Sequence, residues 1–299
     1  MQVLYTLDAM EELPEKTNPV RLLQTHFTAS NRLFLYLLYF ITEVARYAEM
    51  DAKLRANKQL PSQNDLNVNI KLAGNTLLWA ILENPSYQKV KAELSLNFED
   101  TPEQVKKVYQ QLCNADIYQE YINGGSRERT TESAVIKYVF TDMMLPNEEF
   151  ISHIEDHFLN WDDDAEMMDQ LMMNYLQKPA AYNLQDLLGE EKRKFATDLL
   201  VTVLDKNEYI IELIKPHLKN WDADRIAKVD MMLMQMGVCE FLYFETIPVK
   251  VTMNEYIDIS KEYSTTQSGQ FVNGILDSIH KELLVNNKIH KIDFKKQKA

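Results

Sequence analysis

Residues 220–284, NWDADRIAKVDMMLMQMGVCEFLYFETIPVKVTMNEYIDISKEYSTTQSGQFVNGILDSIHKELL, constrain the fold more tightly than any other stretch of the chain. They read as three helices with two marked joints. Apolar residues recur at Ile226, Val229, Leu233, Met236, Phe241 and Phe244, mostly three or four apart, which predicts one buried helical face. Thr246-Ile247-Pro248 stops that helix, because proline lacks the N–H and clashes with the preceding turn. A second helix is predicted from Thr252, with Glu255 at capping-box spacing. Ser264-Thr265-Thr266 and Gly269 interrupt the pattern, and a last helix then turns Phe271, Ile275, Leu276, Ile279 and Leu283 inward.

The rest of the chain carries the same helical bias. Only 7 Gly and 9 Pro occur in 299 residues, while the 45% hydrophobic content suffices for a core. An all-α fold is therefore expected. Cys113 and Cys239 are the only cysteines and form no CxxC pair, which argues against a disulfide scaffold or thiolate zinc site and fits a reducing cytosol. The longest uncharged apolar run, residues 33–42, is shorter than the ~20 residues a bilayer span needs. MQVLYTLDAM lacks a basic leader, so a soluble, cytoplasmic protein with no membrane partner is expected.

Net charge is −13, which by itself argues against nucleic-acid binding. Its distribution is uneven. Residues 138–177 contain no Lys or Arg and ten acidic residues, whereas the tail sets Lys288, Lys291, Lys295, Lys296 and Lys298 against Asp293. The plainest reading is a solvated acidic face and a frayed basic end.

Along the chain, Val3, Leu4 and Leu7 mark a first helix that opens without a cap and ends at Leu13-Pro14. A long helix follows from about Pro19 to Ala56, and its apolar stretch 33–41 is expected to be covered on more than one face. Residues 59–69 read as loop, and a helix over 72–82 ends at Asn84-Pro85. Thr101-Pro102-Glu103-Gln104 reads as a helix start with Thr101 as N-cap. Asn123-Gly124-Gly125-Ser126 reads as an internal boundary. Beyond it the chain repeats itself. PNEEFISHIEDHFLNWDDDAEMMDQLMMNYL (146–176) parallels KNEYIIELIKPHLKNWDADRIAKVDMMLMQM (206–236), with His157/His217, Asn160/Asn220, Trp161/Trp221 and Asp162/Asp222 each sixty residues apart. Both copies predict helix, N-W-D joint, helix, with the Asn or Asp capping and the Trp packing across the elbow.

Catalytic patterns are scarce. The chain has no GxGxxG, Walker loop or nucleophile elbow, so no enzyme and no cofactor are expected. His153 and His157 lie four apart with Glu149 one turn earlier, but HIEDH lacks the HExxH glutamate and shows no third ligand. It reads as a solvent-facing acidic helix with two histidines, and no metal site is expected. Asp162-Asp163-Asp164 suit a helix start and its dipole. The Met231, Met232, Met234 and Met236 block suits a core or an adaptable surface. Phe271 beside Gln270, with Lys250 and Lys261, could stack and neutralise single-stranded RNA; Phe271 is equally well read as core.

IPVKVTMNEYIDISKEYS followed by SGQFVNGILD resembles the NusB family of transcription antitermination factors: a proline, a lysine, an Asn-Glu pair opening a helix, then F-V-N-G-x-L-D. The resemblance is strong over 242–276, extends less strictly from Lys194 onward, and touches Gln2-Val3-Leu4-Tyr5. The long middle is similar to the form associated with Bacteroidetes-type bacteria. The resemblance implies packed three-helix units with an extra helical insertion: residues 1–56 as N-terminal NusB-like helices, 57–189 as the insertion holding the acidic hairpin, 190–285 as the NusB-like C-terminal core and 286–299 as a basic tail. It implies binding of boxA-type RNA together with NusE, a ribosomal protein, within the transcription elongation complex, oligomerisation being left open. It places Gln2, Lys250, Lys261, Gln270 and Phe271 at or near RNA and Tyr5 and Asp230 at NusE. Glu240, Asn254, Glu255, Asn273 and Gly274 are implied to be structural, the glycine through a close helix approach. The family's arginine-rich arm precedes its first helix, and this chain begins after it, so weakened RNA binding is expected. Gln267 stands where the family often has an acid. The alternative is an acidic helical module that binds a basic partner and little RNA.

Overall fold

Every regular element in the computed structural model, which describes residues 1–10, 18–94, 96–218 and 226–292, is helical. The first, α1 (Gln2–Ala9), buries Val3 and Leu4. The predicted stop at Leu13-Pro14 lies outside the described residues. The long helix α2 spans Pro19–Ala56, the bounds read from its periodicity. Two compact units divide the chain: residues 1–25 with 189–299, and residues 26–188.

The contiguous unit is built on α2. Every residue from Leu33 to Thr42 is buried there, as a run apolar on all sides demands. The unit also contains α3 (Gln63–Leu66), and α4 (Thr76–Leu82), α5 (Pro85–Glu93), α6 (Thr101–Leu112), α7 (Asp116–Asn123), α8 (Arg129–Tyr138), α9 (Glu148–His157) and α10 (Trp161–Gln177) share one core with α2. Between α8 and α9, Val139–Met144 forms a π-helical turn. Several local signals act as expected. Asn84 ends one helix and caps the next through Ser86 N–H (2.9 Å), with Pro85 in the first turn. Others are displaced. The loop at 59–69 contains α3, closed by a Ser62–Asp65 capping box. The helix predicted from residue 72 begins at Thr76, capped by Asn75. Asp100, not Thr101, occupies the N-cap of α6, because the Thr101 hydroxyl accepts from Phe98 N–H at 3.1 Å.

The glycine-bearing stretch at 123–126 does not divide the chain; it lies inside this unit. Lys71 Nζ donates to the carbonyls of Tyr121 (2.6 Å) and Gly124 (2.8 Å), and Arg127 donates to Gly74 O (2.8 Å). Behind them Glu132, fully buried, accepts from Thr76 N–H (2.6 Å) and Tyr121 OH (3.1 Å). These bonds satisfy a carboxylate that burial alone would penalise. The first N-W-D joint does join two helices, with Trp161 buried in the core. Asn160 stands at the N-cap but makes no cap bond; its amide donates instead to Asp164 (2.6 Å). The second joint, Asn220-Trp221-Asp222, lies outside the described residues.

The other unit adds α11 (Glu190–Asp205), α12 (Asn207–Ile214), α13 (Lys228–Tyr243), α14 (Val249–Tyr263) and α15 (Ser268–Val285) to α1. Helices α13, α14 and α15 pack on one another as a three-helix core. The single face expected of α13 is a correction: residues 232–234 and 236–241 are all buried, so this is a central helix covered on nearly every side. The methionines of that block are core. Helix α14 starts at Val249 behind Pro248 rather than at Thr252, and the Thr252–Glu255 capping box does not form. Thr252 is buried mid-face and its hydroxyl goes to Glu240.

The close helix approach falls at Gly237, not Gly274. A Cβ on Gly237 would meet Leu276 Cδ2 at 2.9 Å, while one on Gly274 meets nothing within 4 Å. Gly237→Ala is therefore expected to destabilise by about 1–3 kcal/mol through overpacking. Gly274→Ala should be neutral or stabilising by up to about 1 kcal/mol through helix propensity. Urea unfolding followed by circular dichroism checks both, and equal destabilisation by the two would refute the packing asymmetry.

Candidate nucleic-acid interface

The surface around α14 and α15 is set from inside by one carboxylate. Glu240 on α13 is buried, and its two oxygens accept from Thr252 Oγ1 (2.8 Å) and Tyr256 OH (2.5 Å), one turn apart on α14. Burial pushes its pKa up, and the two hydroxyls and Lys291 oppose that. Lys291 donates to the carbonyls of Glu240 (2.8 Å) and Phe244 (2.7 Å), satisfying the end of α13. The tail is accordingly not all frayed. Lys291 is a cap, Ile292 N–H reaches Glu245 O (3.0 Å), and Lys288 donates to Tyr209 OH (3.1 Å); residues 293–299 lie outside the described residues.

With Thr252, Tyr256 and Ser260 facing inward, Lys250 and Lys261 are exposed. They sit near opposite ends of α14, about 16 Å apart along its axis at 1.5 Å per residue. Lys261 pairs with Asp258 (2.7 Å), and its stem lies against Gly269, where a Cβ would meet Lys261 Cγ at 3.0 Å. Gly269 therefore lets Lys261 lie beside the start of α15, where Gln270 is exposed and Phe271 is half-buried against the core. Lys261 thus lies against the residue that precedes Gln270 by one position and Phe271 by two. Gln2 lies on α1, which packs on α13.

Tyr5 is exposed on α1, and Asp8 beside it pairs with Lys228 at the start of α13 (2.7 Å). Asp230 follows two residues on but points inward. It is buried, accepts from Ser268 Oγ (2.8 Å), and its other oxygen has no hydrogen-bond partner among the described residues. Sequence reasoning missed Ser268, whose hydroxyl also meets Thr265 Oγ1 (2.8 Å) and Ser264 Oγ (2.9 Å). This hub secures the turn that presents Gln270 and Phe271. Gln267, at the N-cap of α15, makes no side-chain cap bond. Asn254, Glu255 and Asn273 are exposed.

The contiguous unit holds a second cluster. His153 is buried, not solvent-facing, and the third group beside the histidines is Asp100, not Glu149. His153 Nδ1 lies 2.6 Å from Asp100 Oδ2, and His157 Nε2 lies 3.2 Å from Asp100 Oδ1. His153 Nε2 bonds to Tyr36 OH, which in turn meets Thr101 Oγ1 at 3.0 Å. Only the i, i+4 histidine spacing was legible; Asp100 lies more than fifty residues upstream.

A family model described as the NusB family matches residues 154–281, from α9 into α15 and further upstream than Lys194. The chain is similar to the transcription antitermination protein NusB of Bacillus licheniformis, 40% identical over 95 residues, covering 32% of this chain and 74% of that protein. It is 41% identical over 95 residues to that of Methylacidiphilum infernorum (32% and 66% covered). It is 41% identical over 99 residues to that of Salinibacter ruber (33% and 62%). Against a solved structure of T. maritima NusB the identity is 29%, with 38% of this chain and 84% of that one covered and a TM-score of 0.30.

Glu240 sets a pH dependence. A raised native pKa contributes stability below the unfolded-state value of about 4.3 and loses it as pH climbs through the native value. The stability of the natural chain minus that of Glu240→Gln should therefore fall from mildly acidic to alkaline pH. Urea unfolding of both at several pH values measures this, and a constant difference would refute it.

Proposed function

This chain belongs to the NusB family, and from that premise we propose that it is a non-enzymatic transcription antitermination factor that binds boxA-type RNA together with NusE. The observation that carries the RNA reading is the contact of the Lys261 stem with Gly269, next in sequence to exposed Gln270 and half-buried Phe271 at the start of α15. Lys261 supplies a cation for phosphate, Gln270 an amide for base edges, and Phe271 a ring on which a base stacks. Lys250 extends phosphate contact along α14, and Gln2 adds a polar contact from α1. The −13 overall charge makes such local cations the main source of attraction for a polyanion.

For NusE, exposed Tyr5 supplies the contact and Asp230 acts from beneath, holding Ser268 and hence the entry to α15. The partners are boxA-type RNA, NusE and the elongation complex, in the cytoplasm. A second reading, docking of a basic protein on the acidic hairpin, is favoured by the exposure of Glu148, Glu155, Asp162, Asp163 and Glu166 on α9 and α10.

Titration of labelled boxA-like RNA, with and without NusE, at two salt concentrations tests the proposal. NusE should tighten binding, and scrambled RNA should bind more weakly. Lys250→Ala and Lys261→Ala should each weaken binding and reduce the salt slope by about 0.7. If NusE brings no gain and scrambled RNA binds equally, the RNA reading fails. If NusE then binds without RNA and is lost when Asp162 and Asp163 become Asn, the acidic-face reading replaces it.

A further inference from the structure

Asp100 occupies the N-cap of α6 yet makes no side-chain cap bond; its carboxylate turns instead to α9. There His153 and His157, one turn apart, present their rings 4.8 Å from centroid to centroid. One ligand atom from each of the three residues falls within 4.8 Å of the others. Bonds of about 2.0–2.1 Å in a tetrahedral site put neighbouring ligand atoms roughly 3.3 Å apart, so small side-chain shifts suffice to admit an ion. Both rings are already oriented. His157 stacks on Phe98 at 3.8 Å with planes 2° apart. His153 is held through Nε2 by Tyr36, and the Tyr36–Thr101 bond can run in either direction. Nε2 can therefore carry the ring proton and leave the Nδ1 lone pair facing Asp100, the outer-layer arrangement that metal-bound histidines require.

Asp100 and His153 line a cleft of about 450 Å³ together with Gln104, Glu149, Ser152 and Asp156. Gln104 Oε1 is buried with no hydrogen-bond partner among the described residues. Lys107, the cation lining this cleft, is engaged by Glu103 (3.5 Å) and Glu149 (2.8 Å), and Arg32 lies on the Phe98 ring, 5.8 Å from its centroid. We propose that Asp100, His153 and His157 bind one first-row divalent transition ion, of which Zn²⁺ is the type, with the cleft side left to water. Two imidazole nitrogens select such an ion over Mg²⁺ or Ca²⁺, which take oxygen ligands. The ion replaces the proton shared by His153 and Asp100 and ties α9 to the start of α6. This inference is independent of the RNA and NusE reading.

Zn²⁺ titration of the untagged full chain by calorimetry, with elemental analysis after dialysis, tests it. One Zn²⁺ per chain is expected, with no heat from Mg²⁺ at the same concentration. His153→Gln perturbs a buried network, so the deciding variants are His157→Gln and Asp100→Asn, which reach the surface. Each should weaken Zn²⁺ binding by about tenfold or more, while His290→Gln leaves it unchanged. Absence of saturable binding, or binding equally tight in His157→Gln and Asp100→Asn, overturns the proposal.

Discussion

The carboxylate of Glu240 takes hydroxyls from Thr252 and Tyr256 while its backbone carbonyl takes the Lys291 ammonium. Three parts of the chain thereby meet at one residue of α13. A carboxylate at this depth is costly unless its oxygens are met, so the pairing tolerates little rotation of α14 about its axis. That rotation decides what the outer face of α14 shows. With residues 252, 256 and 260 inward, 250 and 261 must point out. Gly237 adds the second constraint, since a Cβ there would press on Leu276 at 2.9 Å and 3.1 Å. The surface chemistry of α14 and α15 is thus a consequence of polar and steric demands in the core.

The contiguous unit solves a different problem. Ten successive residues of α2 are buried there, more than one layer of helices can cover, and α4 to α10 wrap the run. Polar groups enter this interior in linked sets: Tyr36 with Thr101 and His153, Thr42 with Tyr87 (3.0 Å), Glu132 with Tyr121 and Thr76. Each set supplies the partners that buried polar groups need.

What could be read from the amino-acid order was whatever depends on near neighbours. The bounds of α2, the Asn84-Pro85 break and the stop before Pro248 all rest on residues within a turn of one another, and all were legible. Thr252 and Glu255 have the spacing of a capping box, but Thr252 instead serves a carboxylate twelve positions back. Nothing local distinguishes the two uses of a threonine. Gly237 and Gly274 likewise look alike in sequence; the difference lies in Leu276 across the packing. His153 was read as solvent-facing because acids surround it, and the family resemblance set Asp230 against a partner protein; both are buried. The family motif placed Lys261 and Phe271 in one region, and the short turn between α14 and α15 puts them at the same end of the helix pair, with the Lys261 stem against Gly269.

The unit that carries α13, α14 and α15 is discontinuous: its first 25 residues are separated from the remainder by the whole of the other unit. Asp8 and Lys228, which pair, are 220 positions apart. During synthesis at about 5–20 residues per second, α1 waits roughly 10–45 s for its partner helix to be made. The contiguous unit can condense in that interval, shortening the effective loop that must close to join α1 to α13. Assembly of the discontinuous unit is therefore completed late in synthesis, and until then α1 has no α13 against which to bury Val3 and Leu4.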